Sequence, residues 1–432
     1  MLLKFPCSVA LGLALLAMAG DAPGVSTVDL AATNRANAYA SIATLGKVTA
    51  IAWAATTGNG ATDIYLAASR DGGLTFGPPG RVNTVAGQAS ASGEQPPRIL
   101  LIPRSGRDPG IVVVWTAKGT TGTRLLTAGS DDGGKSFTSA TAIPGTNAPG
   151  NRGWESIAAN RNGAVVALWL DHRELAPKSG GAPMNHDEHQ HVTSGENKAD
   201  GFIRAQLSQL FVAKLDDVRS ARGIARGVCY CCKTALASDD AGALYAAWRE
   251  VYEGNVRDIA FAKSVDGGRT FTPPIRISDD NWVLDGCPEN GPAIAVDSAR
   301  RIHVVWPTLV PGATPNGPPT LALFYAASAD GSRFTPRQQI PTEGVPRHPQ
   351  IALGSSGQMI VAWDEQSSGK RTIAVGRGTI DGKGTARFSR ETLRDDAPGN
   401  YPFVATTDSA TIVGWTSGTS GATVIRTRRL TE

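Results

Sequence analysis

The sequence predicts an all-β protein, a single propeller of four-stranded antiparallel blades. Seven blades are expected, with six as the alternative count should one unit prove irregular. Three observations point there. Seven segments share one pattern: an apolar strand, a polar turn, and a second strand ending in tryptophan, at Trp53, Trp115, Trp169, Trp248, Trp306, Trp363 and Trp415. An octet recurs behind several of them: Ser69-Arg70-Asp71-Gly72-Gly73-Leu74-Thr75-Phe76, Ser130-Asp131-Asp132-Gly133-Gly134-Lys135-Ser136-Phe137 and Ser264-Val265-Asp266-Gly267-Gly268-Arg269-Thr270-Phe271, with a shortened copy from Ser328 to Phe334. The 432-residue chain also holds 50 Gly and 27 Pro, which suits short strands joined by many turns. Self-similar units of about 50–60 residues, each with four strands, are the grammar of a propeller blade.

Taken in order, the chain starts with Lys4, an apolar run over residues 9–18, and Ala17-Met18-Ala19, which fits a small-residue cleavage site. Residues 1–19 therefore read as a signal peptide, and 20–432 as the propeller of an exported protein, periplasmic or secreted. No later stretch is long and apolar enough to span a bilayer. In the four units that carry it, the octet is a tight hairpin. Asp and Ser oxygens accept backbone N–H bonds, and Gly supplies positive φ. The last unit lacks a fourth strand, while an unclaimed strand over 26–31 sits at the other end of the chain. The N-terminal strand is expected to complete the last blade, removing two exposed edges. The seven recurrent tryptophans are expected in the blade cores. Trp154 and Trp282 fall outside the pattern, are expected in loops, and are the better ligand candidates.

The octet resembles the Asp box, or BNR repeat, of the sialidase superfamily. That motif is specific for fold and says little of activity, since one fold hosts many functions. Carried over residue by residue, the superfamily's catalytic motifs are not matched: the Phe-Arg-Ile-Pro motif is absent, and Arg98-Ile99 is a faint echo. The resemblance implies that an enzyme of this kind would need an arginine clamp, a Tyr paired with a Glu, and an Asp acid. Arg249, Arg257 and Arg347 are candidates for the clamp. Glu250 would support Tyr401 or Tyr252, and Asp171 would be the acid.

Strand alternation sorts the loops. Turns joining third and fourth strands share one face with the first-to-second turns. Loops after each tryptophan share the other face with the inter-blade connections. Most of the unusual chemistry falls on this second face. A His-rich insertion over about 172–203 carries His186, His189 and His191. One connection holds Cys229-Tyr230-Cys231-Cys232-Lys233, and the next holds Trp282 and Cys287. Aligning blades puts Cys229 and Cys287 at equivalent positions, each ten residues before the matching Asp239 or Asp297. It puts Lys233, Gly291 and His348 at one level around the channel, with Tyr401 close by.

With Cys7 in the signal, four cysteines remain. Two readings stand open. Disulfides fit an exported protein with an even count, and the alignment favours Cys229–Cys287 with a vicinal Cys231–Cys232 bridge. Thiolate ligands for copper or zinc fit three cysteines within four residues. The histidines are either a solvated loop or imidazole ligands. A net charge of +4 with no dense basic run excludes nucleic acid as a partner. The expected function is a monomeric, non-hydrolytic propeller binding a small ligand, glycan or metal ion on its Cys/His-rich face, with Lys233 and His348 among the ligand-binding residues. The alternative is an exo-α-sialidase-type glycoside hydrolase with an altered site.

Overall fold

The computed structural model describes residues 25–160, 162–175, 199–312, 317–381 and 385–431. The signal segment and His186, His189 and His191 lie outside the described residues. Seven four-stranded antiparallel sheets form a ring. In chain order the first six are β2–β5 (Ala36–Leu45, Val48–Thr56, Thr62–Ser69, Gly80–Arg81), β6–β9 (Arg98–Ile102, Gly110–Gly119, Gly122–Ser130, Thr141–Ala142) and β10–β13 (Arg152–Ala159, Val165–Asp171, Gln209–Lys214, Arg222–Arg226), then β14–β17 (Ala235–Ser238, Leu244–Arg249, Ile259–Ser264, Ile275–Arg276), β18–β21 (Ala293–Val296, Ile302–Val310, Thr320–Ser328, Gln338–Ile340) and β22–β25 (Val345–Leu353, Met359–Ser367, Lys370–Ile380, Ala386–Leu393). The seventh holds β26–β28 (Gly399–Thr406, Ala410–Thr419, Ala422–Thr431) and takes its outer strand from β1 (Val25–Leu30), the opposite end of the chain. Pairing runs from Val25 opposite Leu430 to Leu30 opposite Ile425. Arg426 clamps this seam, with Asp29 and Asp395 each at 2.7 Å.

The seven repeated tryptophans are 0–1% exposed and fill the layers between blades, as their recurrence predicts. The octets form the predicted hairpins. In the third, Asp266 accepts from Thr270 N (2.9 Å), Thr270 Oγ1 (2.6 Å) and Ser264 Oγ (2.8 Å), while Gly267 and Gly268 take φ of 72° and 85°. The Arg70–Asp108 pair at 2.7 Å joins the first octet to the β6–β7 turn of the next blade, so these two kinds of turn share one face. First strands stand side by side around the axis and line a central cavity of 180 Å³, to which Ser41, Arg98, Ser156, Lys233 and Gln350 contribute.

Four of these inner strands carry a bulge at the face away from the octets. The register shifts between Ala38 and Ala40, Gly153 and Ser156, Arg347 and Gln350, and Asn400 and Phe403. Tyr39, Trp154, His348 and Tyr401 sit in those bulges with φ of 51–55°, and Glu289, before β18, has φ of 46°. Side-chain-bearing residues avoid this region unless the surroundings impose it, and bulges re-aim side chains at sheet rims. Helix α1 (Ala199–Leu207) precedes β12 on this same face. No helix among the described residues is long and apolar enough to cross a membrane.

Candidate functional site

A repeated detail bears on part of the expected catalytic set. Trp169, Trp248 and Trp363 each donate their indole N–H to the acidic residue two positions on: Asp171 (3.1 Å), Glu250, and Glu365 (2.9 Å). A contact built into three blades is a structural device. Asp171 is buried between Arg152 (3.2 Å) and Arg173 (2.7 Å). Burial works to raise its pKa, but the Arg173 hydrogen bond and both guanidinium charges outweigh it and hold it below the usual carboxylate value. A general acid needs a held proton, so this geometry does not suit the acid role expected of Asp171. The recurrent Trp-x-acid pattern was the sequence signal for this. Glu250 is the opposite case: burial pushes it up to about 8, against the Trp248 hydrogen bond. Its charge acts on Tyr252.

Two of the expected clamp arginines are likewise committed. Arg249, 1% exposed, gives its N–H groups to the carbonyls of Asn290 (2.9 and 3.1 Å), Pro307 (2.7 Å) and Arg257 (2.6 Å). Arg257, fully buried, donates to Leu284 O (2.8 Å), Asn255 Oδ1 (3.2 Å) and Cys229 Sγ (3.1 Å). Together they pin the segment carrying Cys287. Arg347 in β22 is half-buried and pairs with no carboxylate among the described residues.

The cysteines converge. Residues 227–229 extend the edge of β15: Val251 N donates to Gly227 O and Cys229 N to Arg249 O. A turn at Tyr230-Cys231 then reverses the chain. It brings Cys232 Sγ to 3.5 Å and Cys231 Sγ to 3.9 Å from Cys229 Sγ. The structure bonds Cys231 to Cys287 and leaves Cys229 and Cys232 as buried thiols. This corrects the expected pairing. The alignment itself holds, since β14 begins at Ala235 and β18 at the matching Ala293. It could not show the turn, which aims Cys231 rather than Cys229 at the neighbouring connection. The ligand atoms of Cys229, Cys231 and Cys232 lie within 4.8 Å of one another. Burial alone would raise the Cys229 pKa. The hydrogen bond with Cys232 and the charges of Arg257 and Arg249 overcome it, bringing the thiol down to about 6. Burial and the neighbouring Cys229 push Cys232 well above the ordinary thiol value.

Both loop tryptophans proved buried. Trp154 lies in β10, 3% exposed, and packs in the same apolar cluster as Cys229, Cys231 and Cys232, which Phe202 and Ala205 of α1 also join. Trp282 is 6% exposed beneath the Arg249 guanidinium, 4.8 Å from the ring centre. Neither presents an open aromatic platform.

Beside the thiols the channel mouth is closed by the chain itself. Glu94, between the first two blades, accepts from Lys233 N and Gly291 N, both at 2.8 Å. Those two amides occupy the equivalent blade positions that the alignment matched. The Lys233 ammonium donates to Pro349 O at 2.7 Å, and burial, opposed by Glu94, lowers it to about 8. Across the mouth, His348 pairs with Asp364 at 2.7 Å and lies 4.4 Å from the Tyr401 ring, which meets Tyr39 at 5.2 Å. Burial, then the Tyr39, Asp364 and Glu289 sites, raise the Tyr401 pKa. A nucleophilic phenol needs the reverse shift. Gly93 lies beneath Tyr401, where an added Cβ would stand 1.7 Å from the ring. A lone Glu in a connecting segment gave no sequence signal of this plug.

No protein-family model matches the chain, and no curated protein matches it. Solved structures do. An α-L-arabinofuranosidase from Fusarium graminearum with an iminosugar inhibitor is similar at TM-score 0.53 and 10% identity, over 95% of this chain and 98% of its own. An ulvan lyase bound to a sulfated disaccharide repeat gives 0.54 and 10%, over 95% and 94%. A Hadza microbial sialidase gives 0.46 and 12%, over 90% and 74%. At these identities the likeness to the arabinofuranosidase and the lyase supports the fold and nothing finer; the count of seven blades rests on the sheets of this chain.

Proposed function

We propose that the protein is an exported, non-hydrolytic, sialidase-like propeller that binds a soft transition-metal ion, copper or zinc, through cysteine sulfurs at its channel mouth. The observation that carries this is the convergence of Cys229, Cys231 and Cys232 within 4.8 Å, with Cys287 joined to them. The donor set fits: thiolates suit Cu(I) and Zn(II), and buried Arg257 and Arg249 favour the thiolate of Cys229, the form that metal binding requires. When bound, the ion would supply a polarising, thiophilic centre. The chain's own residues hold the sulfurs in place and keep water out. The histidines of the 172–203 insertion remain candidate second ligands.

The test is metal content of protein purified under argon, with Cys229→Ser and Cys232→Ser compared. About one equivalent of copper or zinc in the wild type, lost in both variants, is expected. Metal-free wild-type protein that also takes up none on titration would end the proposal. The hydrolase alternative has one favourable feature, the Tyr401, Tyr39 and His348–Asp364 group at the mouth. It predicts release of a fluorogenic sialoside leaving group that Tyr401→Phe abolishes. The raised Tyr401 and the ionised Asp171 argue for no turnover above background.

A further inference from the structure

Cys231 is counted twice in this site. Its sulfur belongs to the thiol cluster, and it is also bonded to Cys287. A disulfide sulfur is not a thiolate ligand, so the two roles exclude each other. We propose, resting on the metal-binding reading above, that the Cys231–Cys287 bond sets the coordination number of the site and thereby which ion it accepts. Closed, the site offers two thiols, Cys229 and Cys232, 3.5 Å apart. Two sulfurs satisfy a monovalent soft ion such as Cu(I), whereas Zn(II) takes four ligands. Open, the site gains Cys231, the third of three sulfurs within 4.8 Å of one another, with Cys287 freed beside it as a fourth donor.

Two features make the switch workable. Opening the bond does not scatter the ligands. Cys287 sits between Leu284 and Asn290, whose carbonyls are held by Arg257 (2.8 Å) and Arg249 (2.9 Å), and Cys229 is fixed by its amide on Arg249 O (2.8 Å). Access is one-sided. Cys229, Cys231 and Cys232 are 0–2% exposed, while Cys287 is only half-buried. A dithiol reductant therefore attacks at Cys287. Its first thiolate bonds to Cys287 Sγ, the Cys231–Cys287 bond breaks, and the electron pair goes to Cys231 Sγ, which takes up a proton or the metal. The second thiol of the reductant then displaces Cys287 from the mixed disulfide. Two thiols are formed on the protein and one disulfide on the reductant.

The experiment titrates the full mature chain with Cu(I) and with Zn(II), under argon, before and after reduction by a small dithiol that is then removed. Thiols are counted in denaturant at each stage. Two thiols before and four after are expected, with Cu(I) bound in both states and Zn(II) affinity rising on reduction by about two orders of magnitude or more. Cys287→Ser, which cannot close the bond and keeps the three clustered sulfurs, is expected to take Zn(II) without reduction, with water as fourth ligand and more weakly than the reduced wild type. Equal Zn(II) affinity in both wild-type states, with the thiol counts confirmed, overturns the switch and leaves the metal reading standing. A count of four before reduction also overturns the switch. Failure of both states and of the variant to bind either ion removes the metal reading as well.

Discussion

Replacing Arg257 with Met should move the Cys229 thiol toward its ordinary titration range. The guanidinium Nη1 is 3.1 Å from the sulfur and both groups are buried. Coulomb's law at an effective dielectric constant of about 20 sets a ceiling near 5 kcal/mol for this pair. Hydrogen bonds to charged groups are worth about 1.5–3 kcal/mol in practice, or about 1–2 pKa units. Cys229 stands at about 6 in the native protein, so the variant should titrate at about 7–8. Arg257→Lys retains the charge and should shift it less. The assay is ultraviolet thiolate absorbance against pH on metal-free protein with the Cys231–Cys287 bond intact. Cys232 is pushed well upward, so Cys229 titrates first. Far-ultraviolet circular dichroism checks that the variant is folded. A wild-type thiol titrating at about 8.5, or a variant indistinguishable from wild type, would refute the assignment of Arg257 as one of the groups that stabilise the thiolate, beside Cys232 and Arg249.

Three further outcomes follow. Glu250 holds a proton in the folded protein up to about pH 8, which the unfolded chain releases near 4.5, so the native state binds more protons through that window and stability falls as pH rises across it; Glu155, raised to about 7 by burial, acts in the same direction. Glu250→Gln keeps an acceptor for Trp248 and should flatten the decline in urea midpoint between about pH 5 and pH 8, an effect absent if Glu250 is ionised throughout. Asp171→Ala strands Arg152 in the interior and should cost about 3–5 kcal/mol in urea unfolding; an unchanged midpoint would contradict the buried ion pair. Gly93→Ala should cost about 1–3 kcal/mol by overlap with the Tyr401 ring, with part recovered in Gly93→Ala/Tyr401→Ala; additive losses would mean that the two do not touch.

The blades were legible because their physics repeats. Each Trp-ended strand and each Asp-Gly-Gly hairpin solves one packing problem, and seven or four copies of a solution stand out from the background of a chain. The missing fourth strand of the last unit was legible for the same reason, since a repeat announces its own gap. The site was legible in kind and not in detail. Alignment matched Lys233 with Gly291, and the two amides do meet on one Glu94 oxygen. The partner of Cys287 was misjudged because equivalent blade positions describe where strands begin, whereas a turn at Tyr230 decides where each sulfur points. Left-handed backbone at Tyr39, Trp154, Glu289, His348 and Tyr401 leaves no mark in composition, because glycine is the usual signature and none of these is glycine. The sequence offers Asp171 and Glu250 as catalytic candidates, and it also carries the Trp-x-acid spacing by which each accepts an indole N–H in the fold.

The seam between Val25 and Leu430 has a consequence in time. During synthesis the first strand emerges hundreds of residues ahead of the one it must lie against. Until the C-terminal strand is released, the last sheet stays incomplete and the circle stays open at one joint. Contacts this distant along the chain form slowly. Closing the ring therefore depends on a pairing between strands at opposite ends of the described chain, and until it forms the circle is ajar.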